Sequence, residues 1–142
     1  MTNREKRFYD FKSIPIPYED IDVELRPLIK EMNKIDGICT TSCCIGHGIN
    51  LAEIDFIVRD LATLYHFICN CLNGFTAFDL CISLTDPTAS SMLRFYLRSK
   101  SLNLEYNKMI CNNLLYACIE YNKKTNNNVT KNKYRTVWKE AE

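Results

Sequence analysis

The residues best equipped for chemistry follow one another as Thr40, Thr41, Ser42, Cys43, Cys44, Ile45, Gly46, His47 and Gly48. Glycines on either side of His47 permit backbone conformations closed to other residues and let a ligand approach the main chain, as in anion-binding nests. Thr40, Thr41 and Ser42 add hydroxyl donors. Cys43, Cys44 and His47 add groups that bind a metal or attack an electrophile. A plain tight turn needs one Gly or an Asn-Gly pair, and it has no use for a Ser, two Cys and a His within six residues.

A structural zinc site wants four ligands, commonly from two knuckles, and Cys43 or Cys44 with His47 supply only one. The other half would have to come from Cys69 or Cys71, whose spacing on a helix points the two thiols to different faces. No metal and no cofactor is therefore expected. A thiolate-imidazolium pair of Cys43 or Cys44 with His47 lacks an evident third group to orient the imidazole, although Asp55 and His66 are candidates. His66, between Tyr65 and Phe67 in an apolar helix, reads more simply as a partly buried histidine.

A second segment carries recognition chemistry. Arg94, Tyr96 and Arg98 alternate along a strand and so project from one face. Guanidinium forks match phosphate oxygens and an aromatic ring stacks a base, a combination suited to a nucleotide, while the plain alternative is a solvated strand face. The expected ligand-binding set is Thr41, Ser42, Cys43, Gly46, His47 and Gly48 with Arg94, Tyr96 and Arg98, and no catalytic residue is assigned.

The elements that must position these groups follow from periodicity. Residues 7–18 read as an extended, proline-punctuated arm, because Pro15 and Pro17 push their preceding residues out of helical space. From Asp22, a candidate N-cap, the spacing of Leu25, Leu28, Ile29 and Met32 predicts a helix ending near Ile35. Residues 38–44 and 54–58 read as paired strands, and Leu61, Leu64, Tyr65, Ile68 and Leu72 as a helix closed by Asn73-Gly74. Residues 75–84 and 92–97 read as a hairpin, and a long helix capped by Ser101 fades near Asn122. The order α-β-β-α-β-β-α implies an α+β fold, one antiparallel sheet of about four strands packed with three helices on one face. Residues 1–124 form the domain, and 125–142 a polar tail in which Tyr134, Val137 and Trp138 are either a docking hook or a last piece of core.

With 142 residues, 46% hydrophobic and 25% charged, the chain has the length and composition of one globular domain. A net charge of +1 disfavours duplex nucleic acid as a partner. No apolar run approaches a membrane span and the first residues lead into no signal core, so a cytoplasmic protein without membrane contact is expected. The eight cysteines are then read as thiols, with Cys69, Cys71, Cys81, Cys111 and Cys118 packing as small apolar side chains.

The stretch from Leu25 to Asn33, followed by Thr40-Thr41-Ser42-Cys43-Cys44-Ile45-Gly46, resembles the start of the tRNA wybutosine-synthesising methyltransferases, over about 25 residues. Those enzymes pair a helix ending in Asn with a Thr-Thr-Ser-Ser-Cys-Ser-Gly-Arg strand and turn. The resemblance implies S-adenosylmethionine and tRNA as ligands, but here His47 replaces the arginine and Cys43 the second serine. The Ser-Cys-Cys-x-Gly-His-Gly form is similar to small phage-encoded accessory proteins. That similarity implies a homo-oligomeric, non-catalytic sponge that sequesters a phosphate-bearing nucleotide signal and so counters host defence. The alternatives are a methyltransferase-like or Cys/His-dependent enzyme, and an inhibitor that binds a host protein through its tail.

Overall fold

In the computed structural model, residues 2–14, 16–72, 77–83, 92–126 and 138–139 are described. The sheet is antiparallel throughout, with strands β2 (Ile38–Cys44), β3 (Glu53–Val58), β4 (Phe78–Ile82) and β5 (Leu93–Ser99) in the order β2-β3-β5-β4. Helices α2 (Arg26–Lys34), α3 (Leu61–Phe67) and α4 (Leu104–Asn126) complete the α+β fold expected from the sequence. Alternation puts Ile38, Ile54, Phe56, Val58, Phe95 and Leu97 on the face that meets α2 and α4, where Leu28, Met32, Ile110 and Leu114 close the main core. Removing this apolar area from water is the chief driving force for the fold.

Two buried asparagines fix how the layers sit. Asn33, at the end of α2, donates from Nδ2 to Ile29 O and Thr40 Oγ1 and accepts the Thr40 amide on Oδ1, at 2.9, 2.6 and 2.9 Å. It pins α2 to the first half of β2. Asn122 of α4 donates to the backbone and carboxylate of Glu31, 2.9 Å each, and so clamps the two helices together. Asn103 rather than Ser101 caps α4, accepting the Tyr106 amide at 2.9 Å, and the helix runs on to Asn126.

The N-terminal segment differs from expectation. Residues Asn3–Lys12 form a helix, α1, not an extended arm, because Thr2 caps it by accepting the Glu5 amide at 3.1 Å. Pro15 and Pro17 restrict only the residues immediately before them, so α1 is free to form and simply ends before reaching them. α1 also lies on the face of the sheet opposite α2 and α4, where Phe8 and Tyr9 pack on Cys39 and Ile57. Polar contacts tie it down. The Tyr9 hydroxyl donates to Asp36 Oδ1 at 2.8 Å, the Arg59 guanidinium reaches Tyr9 and Asp36, and buried Lys12 donates to Ile35 O at 2.9 Å.

Asp22 stands at the N-cap position of a short turn rather than of α2 itself. A 3-10 turn, Val23–Leu25, precedes α2, and the Asp22 side chain makes no cap hydrogen bond. Of the expected tail, only 125–126 and a two-residue strand, β6 (Trp138–Lys139), fall among the described residues. β6 pairs in parallel with β1, Ile16–Pro17. Asn73-Gly74, most of the β4–β5 connection, Tyr134 and Val137 lie outside the described residues.

Candidate functional site

β2 is an edge strand with an irregularity that decides which side chains share a face. Thr40 pairs with Phe56 and Ser42 with Asp55, so Thr41 is the extra residue of a bulge. The bulge inverts the alternation, sending Ser42 to the face opposite the main core. There the register forms two rows across the sheet: Ser42, Asp55, Tyr96 and Cys81, then Cys44, Glu53, Arg98 and Asp79. Arg94, level with Ile57, shares that face nearer α1. Residues chosen from two separate segments therefore converge, with Ser42 and Tyr96 two strands, or about 10 Å, apart.

The rows are internally paired. The Ser42 hydroxyl donates to Asp55 Oδ2 at 2.8 Å, whereas Asp55 Oδ1 is buried without a hydrogen-bond partner. Burial raises the Asp55 carboxyl above its usual range, Glu53 adds to the effect, and the Ser42 hydroxyl opposes it. Arg98 donates through Nε and Nη2 to Glu53 Oε1 at 3.1 and 2.9 Å, and its guanidinium lies 4.9 Å from the Tyr96 ring centroid. A cation thus lies over a ring on an open face, with carboxylates keeping the local charge near balance.

At the β2 edge a cavity of about 330 Å³ opens between Asp20 and Ile21 on one side and Thr40, Thr41, Ser42 and Cys43 on the other. That is the lower end of the range for small-molecule sites. Cys43 faces the core side, level with Ile54, and burial pushes its thiol up to about 12, which removes it as a thiolate nucleophile near neutral pH.

Gly46, His47 and Gly48 all adopt positive φ, at 90°, 53° and 83°. Gly46 is required there, since an added Cβ would stand 2.2 Å from Asn50 O, while at Gly48 it would meet nothing within 4 Å. The turn brings His47 Nε2 to 3.2 Å from Asp22 Oδ2. Asp22 also accepts the Ile45 amide at 2.8 Å, and Cys44 Sγ accepts the Gly46 amide at 3.3 Å. His47 is thereby grouped with Asp22 and Cys44.

Sequence reasoning missed Asp22, Glu53 and Asp20 as neighbours of the site. Glu53 and Asp55 alternate on β3 and were open to a strand-face reading, but nothing local relates Asp22 to a loop more than twenty residues away. All eight cysteines are free thiols; Cys71, Cys111 and Cys118 are buried as expected, but Cys69 is exposed and Cys81 half-buried on the open face. Comparison with known protein families, curated proteins and solved structures gives no match, so the geometry alone carries the functional argument. Among the described residues no helix is long and apolar enough to cross a membrane.

Proposed function

We propose that this chain is a non-catalytic binding protein that sequesters a small, phosphate-bearing nucleotide-type ligand on the open face of its sheet. The observation that carries the reading is the Thr41 bulge, which places Ser42 on the face of Arg94, Tyr96 and Arg98, beside the cavity at the β2 edge. In this reading the base stacks on Tyr96, Arg98 exchanges Glu53 for a phosphate oxygen, and Ser42 and Thr41 donate to the ligand's polar edge. The carboxylates Glu53, Asp55 and Asp79 on the same face favour a ligand with few phosphates over a polyphosphate. The high thiol of Cys43 supports binding over a Cys43-dependent reaction.

A homo-oligomer belongs to the same reading, supported by exposed Leu102, Tyr106, Met109 and Tyr116 along and before α4. A phage protein countering nucleotide immune signalling is the biological setting the loop's resemblance implies. The test is to incubate the protein with cyclic nucleotides, ADP-ribose derivatives and S-adenosylmethionine, recover it, denature it and weigh what is released. One ligand released intact is the expected result, and Tyr96→Ala should weaken its binding by about tenfold, from ~1–3 kcal/mol of stacking. A chemically altered ligand, or retention of none, overturns the reading.

A further inference from the structure

We infer that Asp22, Cys44 and His47 form a binding site for a single zinc-type divalent ion, with one coordination position left to solvent or to an anionic ligand. A carboxylate oxygen of Asp22, the Cys44 sulfur and an imidazole nitrogen of His47 all lie within 4.8 Å of one another. Zinc bonds of about 2.0–2.3 Å in tetrahedral geometry set donor atoms about 3.3–3.8 Å apart, so the group needs only a small inward closure. The separation of 3.2 Å between His47 Nε2 and Asp22 Oδ2 lies just below that range. Carboxylate, thiolate and imidazole together suit zinc and other borderline ions, and exclude magnesium or calcium, which take oxygen ligands.

Geometry separates this from a Cys-His-Asp relay. In a relay the imidazole stands between its partners and offers one nitrogen to each, which holds oxygen and sulfur about 7 Å apart. Here the three donor atoms form a compact triangle instead. The backbone supports the anionic ligands as well. The Ile45 amide donates to Asp22 Oδ2 and the Gly46 amide to Cys44 Sγ, the outer hydrogen bonds that orient and stabilise metal ligands.

The turn itself needs an offsetting interaction. His47 is a non-glycine residue at φ 53°, a left-handed conformation that a side chain adopts at some cost. Its side chain is 58% exposed, and a solvent-screened pair with Asp22 does little to offset that cost. Coordination offsets it readily. On binding, the Cys44 thiol releases its proton to solvent, the sulfur becomes the anionic ligand, and no redox change occurs.

This inference stands apart from the nucleotide reading, because it concerns metal uptake by the protein alone. The test is titration of the reduced, chelator-treated protein with Zn²⁺ against a chromophoric chelator, followed by Co²⁺ substitution. One equivalent per chain is expected, with a thiolate-to-cobalt charge-transfer band. Cys44→Ser should abolish the band, and Cys44→Ser and His47→Ala should each weaken zinc binding at least tenfold. Cys69→Ser, which removes an exposed thiol elsewhere, should change neither. Circular dichroism of each variant confirms that it remains folded, and Cys44→Ser and His47→Ala act on half-buried and exposed side chains, respectively. Absence of stoichiometric uptake, or uptake unchanged in both Cys44→Ser and His47→Ala, overturns the inference.

Discussion

Lys12 is the place where burial and charge are most directly opposed, and replacing it by methionine should stabilise the protein. The residue is 1% exposed, and its ammonium donates a hydrogen bond to Ile35 O at 2.9 Å. Burial lowers its pKa from 10.5 to about 8; Asp36 and Cys39 oppose that shift, and Arg59 adds to it. The unfolded lysine keeps its proton up to about 10.5, while the folded one releases it near 8. Between those values the unfolded chain binds more protons, so the Lys12 contribution to stability rises with pH by about 1.4 kcal/mol per unit. Below pH 8 the charged, buried lysine costs about 3 kcal/mol, from the difference between 10.5 and about 8. Lys12→Met removes that cost but loses a hydrogen bond worth about 1 kcal/mol, giving a net gain of about 2 kcal/mol at pH 7.

Urea unfolding in reductant at pH 7, 8 and 9 measures the difference. The advantage of Lys12→Met should shrink from pH 8 to 9. Above pH 9 the raised thiols of Cys39, Cys43 and Cys111, at about 11, 12 and 12, act the other way, since the folded state then holds the extra protons. Stability should therefore fall with further alkalinity in both proteins. A variant less stable than the parent at pH 7, or one with the same pH slope between 8 and 9, refutes the argument.

Other outcomes follow from single residues. Asn33→Ala leaves the Thr40 amide without its side-chain acceptor and should lower stability by about 2–3 kcal/mol in urea titrations. Gly46→Ala should cost about 2 kcal/mol or more, because its Cβ meets a backbone oxygen at 2.2 Å, whereas Gly48→Ala should cost about 1 kcal/mol; thermal melts showing the reverse order contradict the turn geometry. Thiol labelling should leave the four buried residues Cys39, Cys71, Cys111 and Cys118 unreactive in the native protein, with Cys69 fastest. Full reactivity of all eight only after denaturation is the expected result.

Much of the sheet was legible because its patterns are local. The alternation of Arg94, Tyr96 and Arg98 predicts a shared face, and the register of β5 against β3 bears that out. The apolar spacing of α2 and α4 likewise marks their buried sides. α1 carried a readable signal in Thr2 and Glu5, a capping-box spacing, but the prolines that follow drew the reading toward an extended arm. The side on which Ser42 lies was not legible, because a bulge is set by pairing across two strands and not by the sequence around it. The Asp22 contact was hidden for the same kind of reason. Its partners, Ile45 and His47, are brought to it by the α2–β2 hairpin that Asn33 holds together.

The most direct test of the binding account is to titrate isotope-labelled protein with the cyclic nucleotides and ADP-ribose derivatives and follow its amide resonances. The account predicts saturating shifts at Thr41, Ser42, Asp55, Tyr96 and Arg98, with the outer face of α4 unchanged by the ligand. Saturation with shifts confined to other surfaces, or no response to any of these nucleotides, would contradict it.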